Sequence, residues 1–152
     1  MKLFRRERAE PLAVAQGGLE FRRPWIRPDS RNPMQAGGYV IILNKAGERD
    51  RLLAATSPMA KSVEIHAIRV VGGGILMQPL PEGLMLPPDV TISLRPRGYH
   101  LLLKGLQAPL AVGSRVPATL SFERAGSVDV TFVVEEPGPV GEAVLDQDHH
   151  RP

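Results

Sequence analysis

Short runs of alternating apolar and polar residues, separated by turns rich in glycine and proline, recur along this chain from Gly18 to Glu136. That pattern leaves little for it to be but a stack of strands. In SVEIHAIRV, Val63, Ile65 and Ala67 fall on one face and Glu64, His66 and Ile68 on the other, because successive side chains of a strand point to opposite sides. YVIILN has the β-branched, apolar character of a central strand, and TISLR alternates. Near the C-terminal end two alternating strands flank Arg124-Ala125-Gly126, with Phe122 and Phe132 as expected core anchors. GLEFRRPWIR is interrupted by Pro24, so it is expected as an edge strand with Trp25 plugging the core. No sustained helical stripe competes, and the predicted fold is all-β, an antiparallel Greek-key sandwich or barrel.

The chain has 152 residues, which suits one domain large enough to bury its own core. It contains no cysteine, which excludes disulfides, zinc knuckles and thiolate nucleophiles. Any soft metal ligand must therefore be methionine. The formal charge is +3, with basic residues concentrated at Lys2, Arg5, Arg6 and Arg8, and aromatics make up 5%. A nucleic-acid surface needs a basic face interleaved with aromatics, so no nucleic-acid partner is expected. No apolar run approaches the roughly eighteen residues of a membrane helix. An enzyme is not expected either. The nucleophile elbow Gly-x-Ser-x-Gly is absent, and Ser62 near His66 has no orienting carboxylate or oxyanion site that the sequence identifies.

What remains is a donor set. His66, Met77 and His100 each fall inside a β-patterned run, and Gly72-Gly73-Gly74 reads as a hairpin turn that folds ILMQPL back beside the His66 strand. The same triple glycine lacks the Gly-Lys-Ser/Thr ending of a phosphate cradle. Two imidazoles and a thioether without thiolate favour Cu(I) over zinc, and the lack of cysteine disfavours blue-copper electron transfer. Met59 and Met85 are reserve thioethers, and Met34 reads as a surface or packing residue.

Ten residues separate His66 from Met77, and twenty-two separate Met77 from His100. This resembles the PCu(A)C-type periplasmic copper chaperones, whose signature is His, ten residues, Met, about twenty-one residues, then His-x-Met. The residue two after His100 is Leu102, so the last Met of the motif is replaced. PWIRPDSRNPMQAGGYVIILN, DRLLAATSP, EGLMLPPD, LRPRGYHLLLKGL and VPATLSFERAG extend the resemblance, in the family's order, from about Gly18 to Val134. It implies a cupredoxin-like fold and a surface His/Met site. It also implies a copper-accepting partner: a copper-centre subunit of a respiratory oxidase, or an assembly factor serving it. With leucine at 102, the expected site is three-coordinate or completed by water. The alternative is a metal-free β-sandwich interaction or structural module with a degenerate copper site.

Residues 1–17 are expected as a flexible leader, 18–136 as the copper chaperone domain and 137–152 as a disordered tail, where His149 and His150 beside Asp146 and Asp148 form a weak site suited to Cu(II). The resemblance implies a periplasmic location. The leader has a charged start and an Ala13-Val14-Ala15 triplet, but lacks the apolar segment of a complete signal peptide.

Overall fold

Alternation along the chain closes into a barrel. The computed structural model describes residues 14–140, and every regular element among them is a strand. In order these are β1 (Val14–Gln16), β2 (Leu19–Pro28), β3 (Gln35–Asn44), β4 (Asp50–Thr56), β5 (Ala60–Val71) and β6 (Gly74–Pro79), followed by β7 (Leu84–Leu86), β8 (Thr91–Leu94), β9 (His100–Leu106), β10 (Arg115–Phe122) and β11 (Gly126–Val134).

Seven of them form a closed ring in the order β2, β11, β10, β4, β5, β9, β3 and back to β2. The β11–β2 pair is parallel, and the other pairs of the ring are antiparallel. Neighbours distant in sequence, such as β10 beside β4 and β5 beside β9, give the crossovers of a Greek key. Closure removes sheet edges from the ring. The remaining strands attach outside it: β1 to β2, β6 to β5, β7 to β4 and β8 to β3.

The inner faces fill the barrel with Leu19, Phe21, Ile42, Leu52, Leu120 and Phe132 among others, and the Phe21 and Phe122 rings meet at 5.6 Å. Phe122 and Phe132 are thus in the core, as the pattern predicts. Two buried polar residues tie the loops down. Asn44 donates through Nδ2 to the carbonyls of Glu48, Leu86 and Pro87 and accepts from the Ala46 amide. Asp50 accepts from the amides of Arg51, Arg124 and Ala125.

Trp25 departs from expectation. Leu19 and Phe21 face inward at the start of β2, Arg22 and Arg23 are both exposed, and from Pro24 onward the even-numbered residues are the buried ones. A register irregularity between Arg22 and Trp25, with Arg23 at φ 51°, inserts the extra residue that makes the switch. Ile26 therefore enters the core and Trp25 turns outward against Tyr39. The same bulge accommodates the proline, so β2 is not an edge strand: it pairs with β1, β3 and β11. Val14–Gln16, within the expected leader, form β1, and at the other end Gly138 bridges Asp29 while Val140 is buried.

Candidate metal centre

β5 pairs with β9 along their shared length, and the last rung of that ladder is His66 opposite His100. Beyond it β5 continues as a two-stranded ribbon with β6, leaving the barrel. The two histidines therefore stand at the rim where the ribbon departs. Their ring centroids are 5.6 Å apart and their planes are tilted by 40°. A metal–imidazole bond is about 2.0 Å long, so one ion could touch both rings.

Each ring has one nitrogen fixed and one free. His66 Nε2 lies 2.8 Å from Glu64 Oε1, and His100 Nδ1 lies 3.0 Å from the carbonyl of Gly98. Both partners are acceptors, so those nitrogens carry the protons, leaving lone pairs on His66 Nδ1 and His100 Nε2. Both of these atoms are buried without a hydrogen-bond partner. An unmet buried acceptor costs about 1–3 kcal/mol, which a bound cation would offset. Burial is the main cause holding the His100 pKa below its ordinary value, with a smaller push from His66, against the Gly98 carbonyl that raises it. His100 therefore stays neutral and able to donate its lone pair at neutral pH. Glu64 is held below the usual carboxylate range, chiefly by its bond to His66, and Lys104 approaches its other oxygen at 3.5 Å.

Met77 pairs with Ile68, two residues beyond His66, and so shares the histidine face. It is the diagonal neighbour of His66, within the reach of a long side chain at about 7–8 Å between backbones. Leu102 also lies on this face, opposite Glu64 and Gly37, and is buried outside the main core cluster. Among the described residues no three histidines or carboxylates gather as a metal-binding group, and Met77 is the thioether that the strand register places on the histidine face. The reserves are placed elsewhere. Met59 packs against the core before β5 begins, roughly 20 Å along the strand from His66. Met85 sits in β7 opposite Arg51, lining a cleft with Ala67 and Arg69 from the other face of β5. His149 and His150 lie outside the described residues.

Two features of the surroundings were not read from the sequence. The rings are covered: His66 is 5% and His100 2% exposed, where a surface site was expected. The cover is an outer aromatic layer, with Tyr39 6.5 Å from the His100 ring and Trp25 4.7 Å from Tyr39. Arg23 and Arg27 stack on the Trp25 ring at 5.7 and 5.3 Å. Burial pushes the Tyr39 hydroxyl up to about 12, so it remains protonated. Glu64 as the orienting partner of His66 was within reach of sequence reading, since the two-residue period puts them on one face. The Gly98 carbonyl had no such signal.

The family model described as "Putative lipoprotein LpqE-like" matches residues 19–134. The chain belongs to the LpqE-like family. Among curated relatives of this LpqE-like chain, the protein described as "Putative lipoprotein Lxx21020" of Leifsonia xyli subsp. xyli is 29% identical over 119 residues, covering 78% of this chain and 70% of that one. Among solved structures, the copper-bound PCuAC domain from PmoF2 is 28% identical with a TM-score of 0.70, over 82% of this chain and 98% of that domain. The CuI form of DR1885 from Deinococcus radiodurans, at 24% identity, shares the fold with a TM-score of 0.62, over 85% of this chain and 84% of that one. The PCu(A)C resemblance carried by the motifs therefore holds for the LpqE-like chain, and with it the cupredoxin-like fold.

Proposed function

We propose that this protein is a copper chaperone whose cargo is Cu(I), held by His66 Nδ1, His100 Nε2 and the Met77 thioether. The observation that carries the reading is the pair of partnerless lone pairs on facing histidines, each ring oriented through its other nitrogen. That arrangement of ligand and orienting acceptor is typical of metal-binding imidazoles. Soft, neutral sulfur and neutral imidazole suit Cu(I), and with no cysteine in the chain no thiolate binds so tightly as to prevent release. The copper-bound PmoF2 domain, similar over most of this chain, supports copper as the metal.

Delivery needs no chemistry beyond ligand exchange. The histidines sit at the rim and Met77 on the departing ribbon, so an acceptor approaching the ribbon could replace the thioether first and the imidazoles afterwards. The acceptor is a copper-centre subunit of a respiratory oxidase or its assembly factor, as the motif resemblance implies, and the family description as a lipoprotein supports an extracytoplasmic, periplasmic location. The test is anaerobic loading with Cu(I), desalting and metal analysis. One equivalent retained by the wild type and lost in His66→Ala and His100→Ala is expected. Equal retention in all three proteins moves the copper elsewhere in the chain. Leu102 favours the second reading, a metal-free interaction module, and absence of retained copper in the wild type selects it.

A further inference from the structure

On the other side of the β5–β6 ribbon from the histidines, the space between the ribbon and strands β7 and β8 is an open cleft of about 860 Å³. Arg51 from β4, Arg69 from β5 and Arg95 just after β8 line it, and no carboxylate does. Its floor is apolar, with Leu80, Leu84 and Ile92. The arginines are poorly neutralised. Among the described residues Arg69 bonds only to the neutral amide oxygen of Gln78, at 3.1 Å. Arg51 reaches the Glu82 carbonyl at 3.3 Å and Glu123 only at 3.9 Å. Arg95 has no side-chain hydrogen bond or ion pair among the described residues.

Three like charges from three separate segments, held around one hollow, repel one another at a cost that an anion in the hollow would remove. Guanidinium forks match the oxygens of phosphate better than any other side chain. The volume is that of a small-molecule site, and the greasy floor beneath a cationic rim selects a ligand with both characters. We propose that this cleft binds an amphipathic phosphate monoester or diester, its phosphate between Arg69 and Arg95 and its alkyl chain along Leu80, Leu84 and Ile92. The site is separate from the histidine pair and does not depend on copper binding. Such a head and tail occur in a membrane phospholipid and in a free acyl or alkyl phosphate.

The test is titration of the isotope-labelled full chain, followed by amide NMR, with n-octyl phosphate and with inorganic phosphate. Octyl phosphate is expected to shift the amides of Arg69, Gln78 and Arg95 saturably, with affinity at least tenfold tighter than inorganic phosphate. The double variant Arg69→Gln/Arg95→Gln should lose tenfold or more, whereas Arg115→Gln on β10 should bind as the wild type does. Sedimentation with phosphatidylglycerol vesicles but not phosphatidylcholine vesicles, lost in the double variant, identifies a lipid headgroup as the source. Octyl phosphate binding without sedimentation identifies a soluble ligand. Equal affinity for the two phosphates, no saturable shift, or wild-type binding by a double variant whose spectrum shows it folded overturns the proposal.

Discussion

Leu102 lies directly opposite Glu64 across β9 and β5, two rungs inside the two histidines and on their face of the sheet. A longer, unbranched side chain at 102 carrying sulfur could reach the pair of free nitrogens. Leu102→Met is nearly volume-conserving, so the fold should tolerate it. The expected outcome is Cu(I) affinity raised by about tenfold, equivalent to about 1.4 kcal/mol, in competition with a chromophoric Cu(I) chelator. Unchanged affinity would show that position 102 does not touch the metal.

Glu64 bonds to Nε2 of His66, the ring nitrogen other than the partnerless Nδ1, and is itself half-exposed. Its removal should therefore act on copper and barely on folding. Glu64→Gln keeps an acceptor oxygen and should cost little, whereas Glu64→Ala frees the ring and should weaken Cu(I) binding by roughly 10- to 100-fold, as loss of an outer-shell partner does elsewhere. Thermal melts of both variants should match the wild type. A large drop in melting temperature for Glu64→Ala with copper affinity intact would reverse the assignment.

At Gly37 the outer layer passes close over the backbone. A Cβ there would lie 2.5 Å from the Tyr39 hydroxyl oxygen and 3.2 Å from Val140. Gly37→Ala is therefore expected to push the Tyr39 ring off its seat beside His100 and to cost about 1–3 kcal/mol, the usual range for overpacking. The nearest atom is the hydroxyl, so Gly37→Ala/Tyr39→Phe should recover part of the loss. Denaturant melts of the four proteins of this cycle measure the coupling. Additive losses would mean that the two residues do not meet.

Much of this was legible from the residues. Alternation gave the β architecture, and the two-residue period placed His66 away from Ile65 and the core. The triple glycine gave the turn between β5 and β6. What could not be read was anything requiring a change of register or a second layer. The bulge before Trp25 reverses which residues face inward, and no pattern in GLEFRRPWIR distinguishes that from a strand ending at Pro24. The Tyr39 ring beside His100 comes from β3, and His100 meets His66 across β9 and β5, strands paired only in the folded barrel. For the same reason Met59 and Met85, near the histidines in sequence, lie away from them in space.

Asp50 is a heavily used carboxylate of the barrel: it begins β4, the strand next to that of His66, but its side chain bonds to the β10–β11 turn rather than towards the histidines. Its side chain is fully buried, accepts backbone hydrogen bonds at 2.8 Å from Arg51, 2.8 Å from Arg124 and 3.1 Å from Ala125, and faces the Arg124 guanidinium at 3.5 Å. It thus holds the β10–β11 turn to the start of β4, where β7 also pairs. Asp50→Ala strips partners from these donors at once, and hydrogen bonds to a buried charge are worth about 1.5–3 kcal/mol. The expected loss is about 3 kcal/mol in denaturant unfolding. Asp50→Asn retains one accepting oxygen and should lose less. Copper retention by the folded fraction of either variant should equal that of the wild type, since the turn and the His66–His100 rung share no side chain. A variant that keeps its stability would show that the turn is held by the strand pairing of β10 with β11 alone.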